Sequence, residues 1–291
     1  LDALFGPFSK FKGLINADLL SEAESELQMI ENRGCRFIGI TDEDYPFMLK
    51  DCPDPPVGLY YKGADEPAKV FGTKDSIAVV GTRNITSYGA DWCERIVGAL
   101  SRTEQKPCIV SGLALGIDVT AHKAALDNGL STIAVMATGI DAVYPSRHVG
   151  IAARIARSPG CALVTDYPPG TVPLPMNFLR RNRIIAALSR ATILVESRIK
   201  GGGMMTCSLA SSYGREVYAL PGRADDASSS GCNKLIREKL AEAITDEHSL
   251  CESLGIRLRG HSTIKDRQVD ITRRYENILS AEDLRNVRRM T

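Results

Sequence analysis

Between residues 76 and 220 the chain alternates short apolar runs with longer mixed segments. The first run, over 77–80, is closed by Gly81-Thr82-Arg83. Similar runs end at Ser111-Gly112, near Met136, at Asp166 and at Glu196, and another covers 217–220. Near-continuous apolar runs of this length, each followed by a glycine-rich or polar turn, predict parallel strands buried on both faces. The intervening segments predict helices over 88–101, 118–128, 149–156, 182–188, 204–213 and 234–243. Strand and helix alternating in this way give an α/β fold, a doubly wound and mostly parallel sheet. The ligand crevice of such a sheet lies beyond the C-terminal ends of its strands.

The flanks read differently. A helix is predicted over 18–33, with Leu19, Leu20, Leu27 and Ile30 on one face and Asp18 at its start, and a short strand over 35–40. Asp42-Glu43-Asp44-Tyr45-Pro46 breaks the pattern. Residues 51–63, with Pro53, Pro55 and Pro56, read as a stiff connector. The division expected is a partial helical N-terminal region (1–50), a main domain (51–256) and a tail (257–291). The tail holds nine Arg or Lys against five Asp or Glu and few apolar positions.

Composition narrows the class. With 291 residues, 44% hydrophobic and 24% charged, the chain fits an ordinary soluble globular protein. No run approaches the roughly 18 apolar residues of a membrane span, so no membrane association is expected. A formal charge of +1 argues against a wholly basic nucleic-acid coat but not against a local basic groove. The eight cysteines form no CxxC and several sit in apolar runs, which points to reduced core thiols rather than disulfides or zinc ligands. A cytoplasmic setting without a metal site is expected. The chain opens at Leu1 with no basic, apolar signal pattern, and the missing initiator Met suggests that residues precede it.

The strand ends carry the candidate chemistry. Gly81-Thr82-Arg83 offers a close backbone approach and a guanidinium suited to phosphate, though a tight turn with a surface arginine reads equally well. Ser111-Gly112, with Gly116 and Asp118 four and six residues beyond Gly112, would form a donor-rich nest for an anion. It is neither GxGxxG nor a Walker A loop, and Asp118 also suits a helix cap. His122, one turn on, reads as a surface or packing residue. Gly139 and Asp141 mark another strand-end turn, and Asp166-Tyr167-Pro168-Pro169-Gly170 a stiff loop on the same rim.

The most informative run is Asn177-Phe178-Leu179-Arg180-Arg181-Asn182-Arg183, read as lying immediately before an apolar helix. Arginines bridge phosphates, Asn meets a base or sugar edge, and an aromatic stacks on a base. The bland alternative leaves Phe178 in the core and the arginines in solvent. Glu196 ends a strand, Gly201-Gly202-Gly203 and Thr206 follow at a helix start, and Asn233-Lys234 begin a helix after Pro221-Gly222.

Taken together these motifs resemble the DNA-processing protein A family, also called DprA or Smf. The resemblance rests on Gly81-Thr82-Arg83, Ser111-Gly112 with Gly116-Ile117-Asp118, and Gly139 with Asp141, Tyr144 and Pro145. It extends to Pro168-Pro169-Gly170 with Pro173, Arg181-Asn182-Arg183-Ile184-Ile185, Pro221-Gly222, and Ser230, Gly231, Asn233, Leu235 and Ile236. It covers about 44–244. It implies an extended Rossmann-like core that binds single-stranded DNA without catalysis. It further implies loading of the RecA recombinase, a role in natural transformation and DNA processing, and a homodimer formed through the core. No cofactor is implied. Carried over by motif, Arg83, Ser111, Gly112, Arg180, Arg183 and Lys234 would contact phosphates and Phe178 a base. The remaining crevice residues would be Gly81, Thr82, Gly116, Asp118, Gly139, Asp141, Asn177, Asn182, Glu196, Gly202, Thr206 and Asn233.

There are departures from the family pattern. Gly201-Gly202-Gly203 replaces a more usual Ser-Gly-Ser, Cys207 stands for a small alanine, and Leu179 occupies a usual proline position. Residues 1–43 resemble only the second part of the family's helical N-terminal domain. The tail does not show the winged-helix module of many members, which leaves it absent, reduced or cut off. Two other classes stay open: a nucleotide-hydrolysing enzyme of the related glycine-rich-loop type, which here lacks an acid between Gly201 and Ser212, and a non-catalytic adaptor.

Overall fold

In the computed structural model, which describes residues 16–72 and 75–259, one nine-stranded sheet runs through the molecule in the order β1-β2-β6-β5-β4-β3-β7-β8-β9. Helix α1 (Ala17–Glu31) leads into β1 (Arg36–Gly39), α2 (Phe47–Lys50), β2 (Gly58–Gly63) and α3 (Pro67–Phe71). The parallel part then begins with β3 (Ser76–Val80), α4 (Ser87–Ser101), β4 (Cys108–Ser111), α5 (Ile117–Asp127) and β5 (Thr132–Val135). A short 3-10 turn (Ser146–His148) precedes α6 (Val149–Arg157), β6 (Ala162–Thr165), α7 (Pro175–Ala187) and β7 (Ala191–Leu194). The described chain closes with α8 (Gly202–Ser212), β8 (Glu216–Ala219), α9 (Ser230–Arg237), β9 (Glu242–Ala243) and α10 (Glu247–Ser253).

Strands β3 to β9 pair in parallel, whereas β1 and β2 pair antiparallel with each other and β2 with β6. This is the α/β sheet that the apolar runs predict, in an extended Rossmann-like form. Alternate residues of each strand feed opposite cores. Ile77 and Val79 of β3 pack with Cys93, Ile96 and Leu100 of α4 and Ala121 of α5. Ala78 and Val80 pack on the other face with Ile184 and Ile185 of α7 and Cys207 of α8. Strands buried on both sides need apolar residues at nearly every position, hence the unbroken runs in the sequence.

Four expectations change. The cap of α1 is Asn16, whose Oδ1 accepts from Leu19 N–H at 2.9 Å, while Asp18 sits within the first turn. The predicted connector contains β2, whose Tyr60 and Tyr61 rings are buried while their hydroxyls donate to the Glu26 carboxylate and to the Asp65 carbonyl. The helix predicted over 182–188 starts seven residues earlier, so Phe178 and the arginines are helical. The helix predicted over 234–243 instead ends at Arg237, and Glu242–Ala243 forms the edge strand β9. Of the predicted tail, 260–291 lies outside the described residues.

Candidate nucleic-acid interface

From β3 the chain crosses toward β4, and from β7 it crosses toward β8, although β3 and β7 are hydrogen-bonded neighbours. Opposed crossovers leave a gap above the carboxyl ends of this pair, the place where open α/β sheets bind ligands. A cavity of about 290 Å³ opens there. Its walls are Gly81, Thr82 and Arg83 from the end of β3, Phe178, Arg181 and Asn182 from α7, and Gly201, Gly202, Gly203 and Thr206 at the start of α8.

Backbone bonds knit these ends together. Thr82 N–H donates to the Glu196 carbonyl at 2.7 Å, and Ile117 N–H donates to the Thr82 carbonyl at 3.1 Å. Gly116 caps α5 with φ of 73°, a left-handed conformation that favours glycine. Helix α8 packs so closely that a Cβ on Gly203 would lie 2.6 Å from Leu194 Cδ1.

Beneath the cavity sits a buried charge network that reasoning from the motifs did not foresee. Arg181 is only 3% exposed, and its Nη1 donates to the carbonyls of Gly112 (2.6 Å) and Val135. Asp118 accepts from the N–H groups of Gly112 (3.2 Å) and Ala114 (3.4 Å). Gly112 is thus held on both sides, by a cation on its carbonyl and an anion on its N–H. Gly112 is required because a Cβ there would fall 2.5 Å from the Arg181 guanidinium carbon. Burial pushes the Asp118 carboxyl up against the pull of Arg181. Burial also lowers Arg181 to about 10 against the opposing pull of Asp118, which leaves it charged at neutral pH.

His122 is fully buried below this network rather than on a helix surface. The Thr132 hydroxyl donates to the Ile109 carbonyl at 2.7 Å, so it must accept from His122 Nδ1–H, also at 2.7 Å. Nε2 is then a bare acceptor, and it has no hydrogen-bond partner. Burial drives this imidazole down to about 3.

The exposed rim is aromatic and basic. The Arg83 guanidinium lies over the Phe178 ring at 4.8 Å from its centre, and Tyr144 meets the same ring edge-on at 5.6 Å. Arg180, two residues along α7, is exposed. A second hollow of about 500 Å³ next to it is lined by Arg180, Arg183, Met176, Leu179 and Met205. Leu179 borders both hollows, so Arg83, Phe178, Arg180 and Arg183 lie along one continuous surface.

The other predicted residues are occupied within the fold. Arg183 pairs with Asp166 at 2.6 Å and also donates to the Asp54 carbonyl. Ser111 is fully buried and donates to the Val79 carbonyl at 2.7 Å. The buried Glu196 carboxylate accepts from Thr86 N–H (3.0 Å) and its hydroxyl (2.9 Å), at the start of α4. Asp141 accepts from Gly170 N–H at 2.9 Å and stands beside Gly139. Asn177 donates weakly to the Ala137 (3.4 Å) and Val172 (3.3 Å) carbonyls. Asn233 clamps the turn at Gly222 through three hydrogen bonds, to Gly222 N–H and to the Gly222 and Arg223 carbonyls. Lys234 lies on α9 and borders neither hollow. Among the described residues no group of three His, Cys, Asp or Glu is gathered as for a metal ion, and no helix is long and apolar enough to cross a membrane.

Comparison with known proteins decides the family. The family model for DNA recombination-mediator protein A matches residues 36–255, three-quarters of the chain. The chain belongs to this family. It is 41% identical over 199 residues to DNA processing protein DprA of Streptococcus pneumoniae, covering 68% of this chain and 67% of that one. It is 38% identical over 229 residues to protein Smf of Synechocystis, covering 79% and 56%. The chain therefore spans between about half and two thirds of these relatives' lengths. The crystal structure of the S. pneumoniae protein superposes with a TM-score of 0.72 at 36% identity, over 82% of this chain and 78% of that one. DNA processing protein A from Helicobacter pylori, for which a single-stranded DNA binding mode is described, superposes at 0.66 and 30% identity, over 73% and 94%.

Proposed function

We propose that this family member binds single-stranded DNA along the surface that joins the two hollows, and acts as a recombination mediator that loads RecA onto the bound strand. The observation that carries this reading is the exposed Arg83–Phe178 pair, with Arg180 on the same helix. A guanidinium stacked on an aromatic ring at a crevice mouth offers a phosphate contact and a base-stacking face within one nucleotide's reach. The near-zero net charge of the whole chain is compatible, because this cationic footprint is local.

Within this reading Arg83 and Arg180 contact phosphates, Phe178 meets a base, and Lys234 is an outlying contact on α9. Ser111, Gly112 and Arg183 act by shaping the surface, since their polar groups are engaged in the fold. A preference for single strands follows from Phe178, which reaches a base face only where the base is unstacked. Homodimerisation, RecA loading, a role in natural transformation and the absence of catalysis rest on the family resemblance.

The test is fluorescence anisotropy of a labelled oligonucleotide against its duplex across a salt series. Binding should favour the single strand and weaken with salt. Arg83→Ala should reduce the slope of log K against log salt by about 0.7, the value for one phosphate contact on a single strand. Equal affinity for duplex and single strand, or a slope unchanged by Arg83→Ala, overturns the reading.

A further inference from the structure

Strand β1 is an outer edge of the sheet, with β2 on one side and no strand on the other. Ile40 N–H, just past the strand, donates to the Val57 carbonyl at 2.9 Å, and in an antiparallel pair such bonded positions alternate. Arg36 and Ile38 therefore turn their backbone groups to β2, while Phe37 and Gly39 turn theirs outward. The Gly39 groups are closed off: its N–H donates to Asp42 Oδ2 at 2.7 Å, and its carbonyl accepts from Asp42 N–H at 2.9 Å. Ahead of the strand, Cys35 N–H donates to the Ile30 carbonyl at 2.9 Å. Between these closures the Phe37 N–H and carbonyl have no partner among the described residues. Unpaired groups on a sheet edge are a template for a further strand.

A hollow of about 790 Å³ opens against this edge. Successive side chains point to opposite faces of a strand, and both Arg36 and Phe37 line the hollow, so it reaches both faces of β1. Leu27 and Phe37 give it exposed apolar surface. Its acids are Glu31, Asp42, Asp65 and Glu66, against the single base Arg36, which Glu66 already binds at 2.7 Å. Glu31 is exposed and in no ion pair among the described residues. The same bias runs through this part of the chain, where residues 16–72 hold twelve Asp or Glu against five Lys or Arg. Such a surface repels a nucleic-acid backbone. Five strand spacings, roughly 24 Å, separate it from β3 and the crevice.

We propose that this edge docks a short extended segment of a partner protein, in which basic residues flank apolar ones, paired to β1 at Phe37. The backbone of the segment completes the two open hydrogen bonds of Phe37, and its alternate side chains enter the hollow on the two faces of the strand. Its apolar residues cover Leu27 and Phe37, and its cations answer the excess of carboxylates. The acids alone would specify only a cation; the unpaired edge and the apolar surface beside it specify a peptide. The open edge is one residue long, so the docked segment is short and owes its selectivity to side chains. This surface is separate from the strand-binding one and does not depend on it.

Fluorescence anisotropy of the full chain with a labelled peptide, Gly-Arg-Ile-Arg-Ile-Arg-Gly, tests the proposal. Two control peptides carry Glu in place of Arg, or the same sequence with its interior backbone nitrogens methylated. Methylation removes the donors that edge pairing needs and keeps the charge. The Glu31→Lys variant reverses a charge that no other described residue pairs with, so the fold is not at risk. The basic peptide should bind saturably, one per chain, and the acidic one at least tenfold more weakly. Methylation should weaken binding by about tenfold, and Glu31→Lys by about threefold, as expected for a lost backbone hydrogen bond and an exposed charge. Equal binding of the methylated peptide, or affinity unchanged in Glu31→Lys, overturns the proposal. Absence of saturable binding overturns it too, whether the edge is idle or already held by another part of this chain.

Discussion

Replacing Arg181 by Met should destabilise the fold by about 3–5 kcal/mol, the usual cost of removing one partner from a buried charge network. The change leaves the Gly112 and Val135 carbonyls without their donor and Asp118 without a neighbouring cation. Met fills similar volume, so the cost is polar rather than a cavity. With total stability near 5–15 kcal/mol, the variant should still fold but lose a large fraction of its margin. At a urea m-value of about 1–3 kcal/mol/M the midpoint should fall by roughly 1–5 M. Asp118→Asn tests the origin of the loss. In that background the uncompensated anion is gone, so Arg181→Met should cost about 1–3 kcal/mol less than it does alone. Urea unfolding followed by circular dichroism measures all four corners of the cycle. A single-variant loss below about 1 kcal/mol, or costs that simply add, would refute the bridged network.

Other perturbations read different parts of the structure. Because His122 is depressed to about 3 from its ordinary 6.5, its contribution is fully present above pH 6.5 and is lost as pH falls toward 3. Stability should drop by about 1.4 kcal/mol per pH unit in that window from this residue, and His122→Gln should remove that share of the slope in pH-dependent urea melts. Gly203→Ala forces a methyl against Leu194 and should cost about 1–3 kcal/mol by differential scanning calorimetry, with the α8 start displaced. Phe178→Ala should weaken single-strand binding by about 1–3 kcal/mol in anisotropy while leaving the urea midpoint nearly unchanged, because the ring is only partly buried at the rim.

The sheet was legible because its strands are buried on both faces and therefore written as apolar runs. Strand β2 escaped because its sequence, Gly-Leu-Tyr-Tyr-Lys-Gly, reads as polar at the tyrosines, whose hydroxyl tips find Glu26 and Asp65 while the rings are buried. The adjacent aromatic pair was the available signal. The start of α7 was missed for a similar reason. Polar residues dominate 177–183, yet Pro175 at the first helical position is a common helix opening. That error hid the fates of the arginines. A helix turns by about 100° per residue, so Arg180 reaches solvent, Arg181 goes under Gly112, and Arg183 reaches Asp166 and Asp54. The residue types pointed to a phosphate-binding surface. Which arginine faces it is set by helix phase and by the missing Cβ of Gly112, neither of which the run of basic residues reveals.

The eight cysteines, read from the sequence as core thiols, are all buried, from Cys35 just before β1 to Cys251 on α10. Their distribution makes the native chain silent to thiol reagents and its opened forms reactive. Each position then acts as a built-in clock for the segment around it. Cys35 and Cys52 report on the N-terminal edge, Cys93 and Cys108 on the centre, and Cys207 and Cys232 on the helices behind the crevice. Pulsed alkylation read by mass spectrometry would rank these segments by opening free energy without a single introduced label.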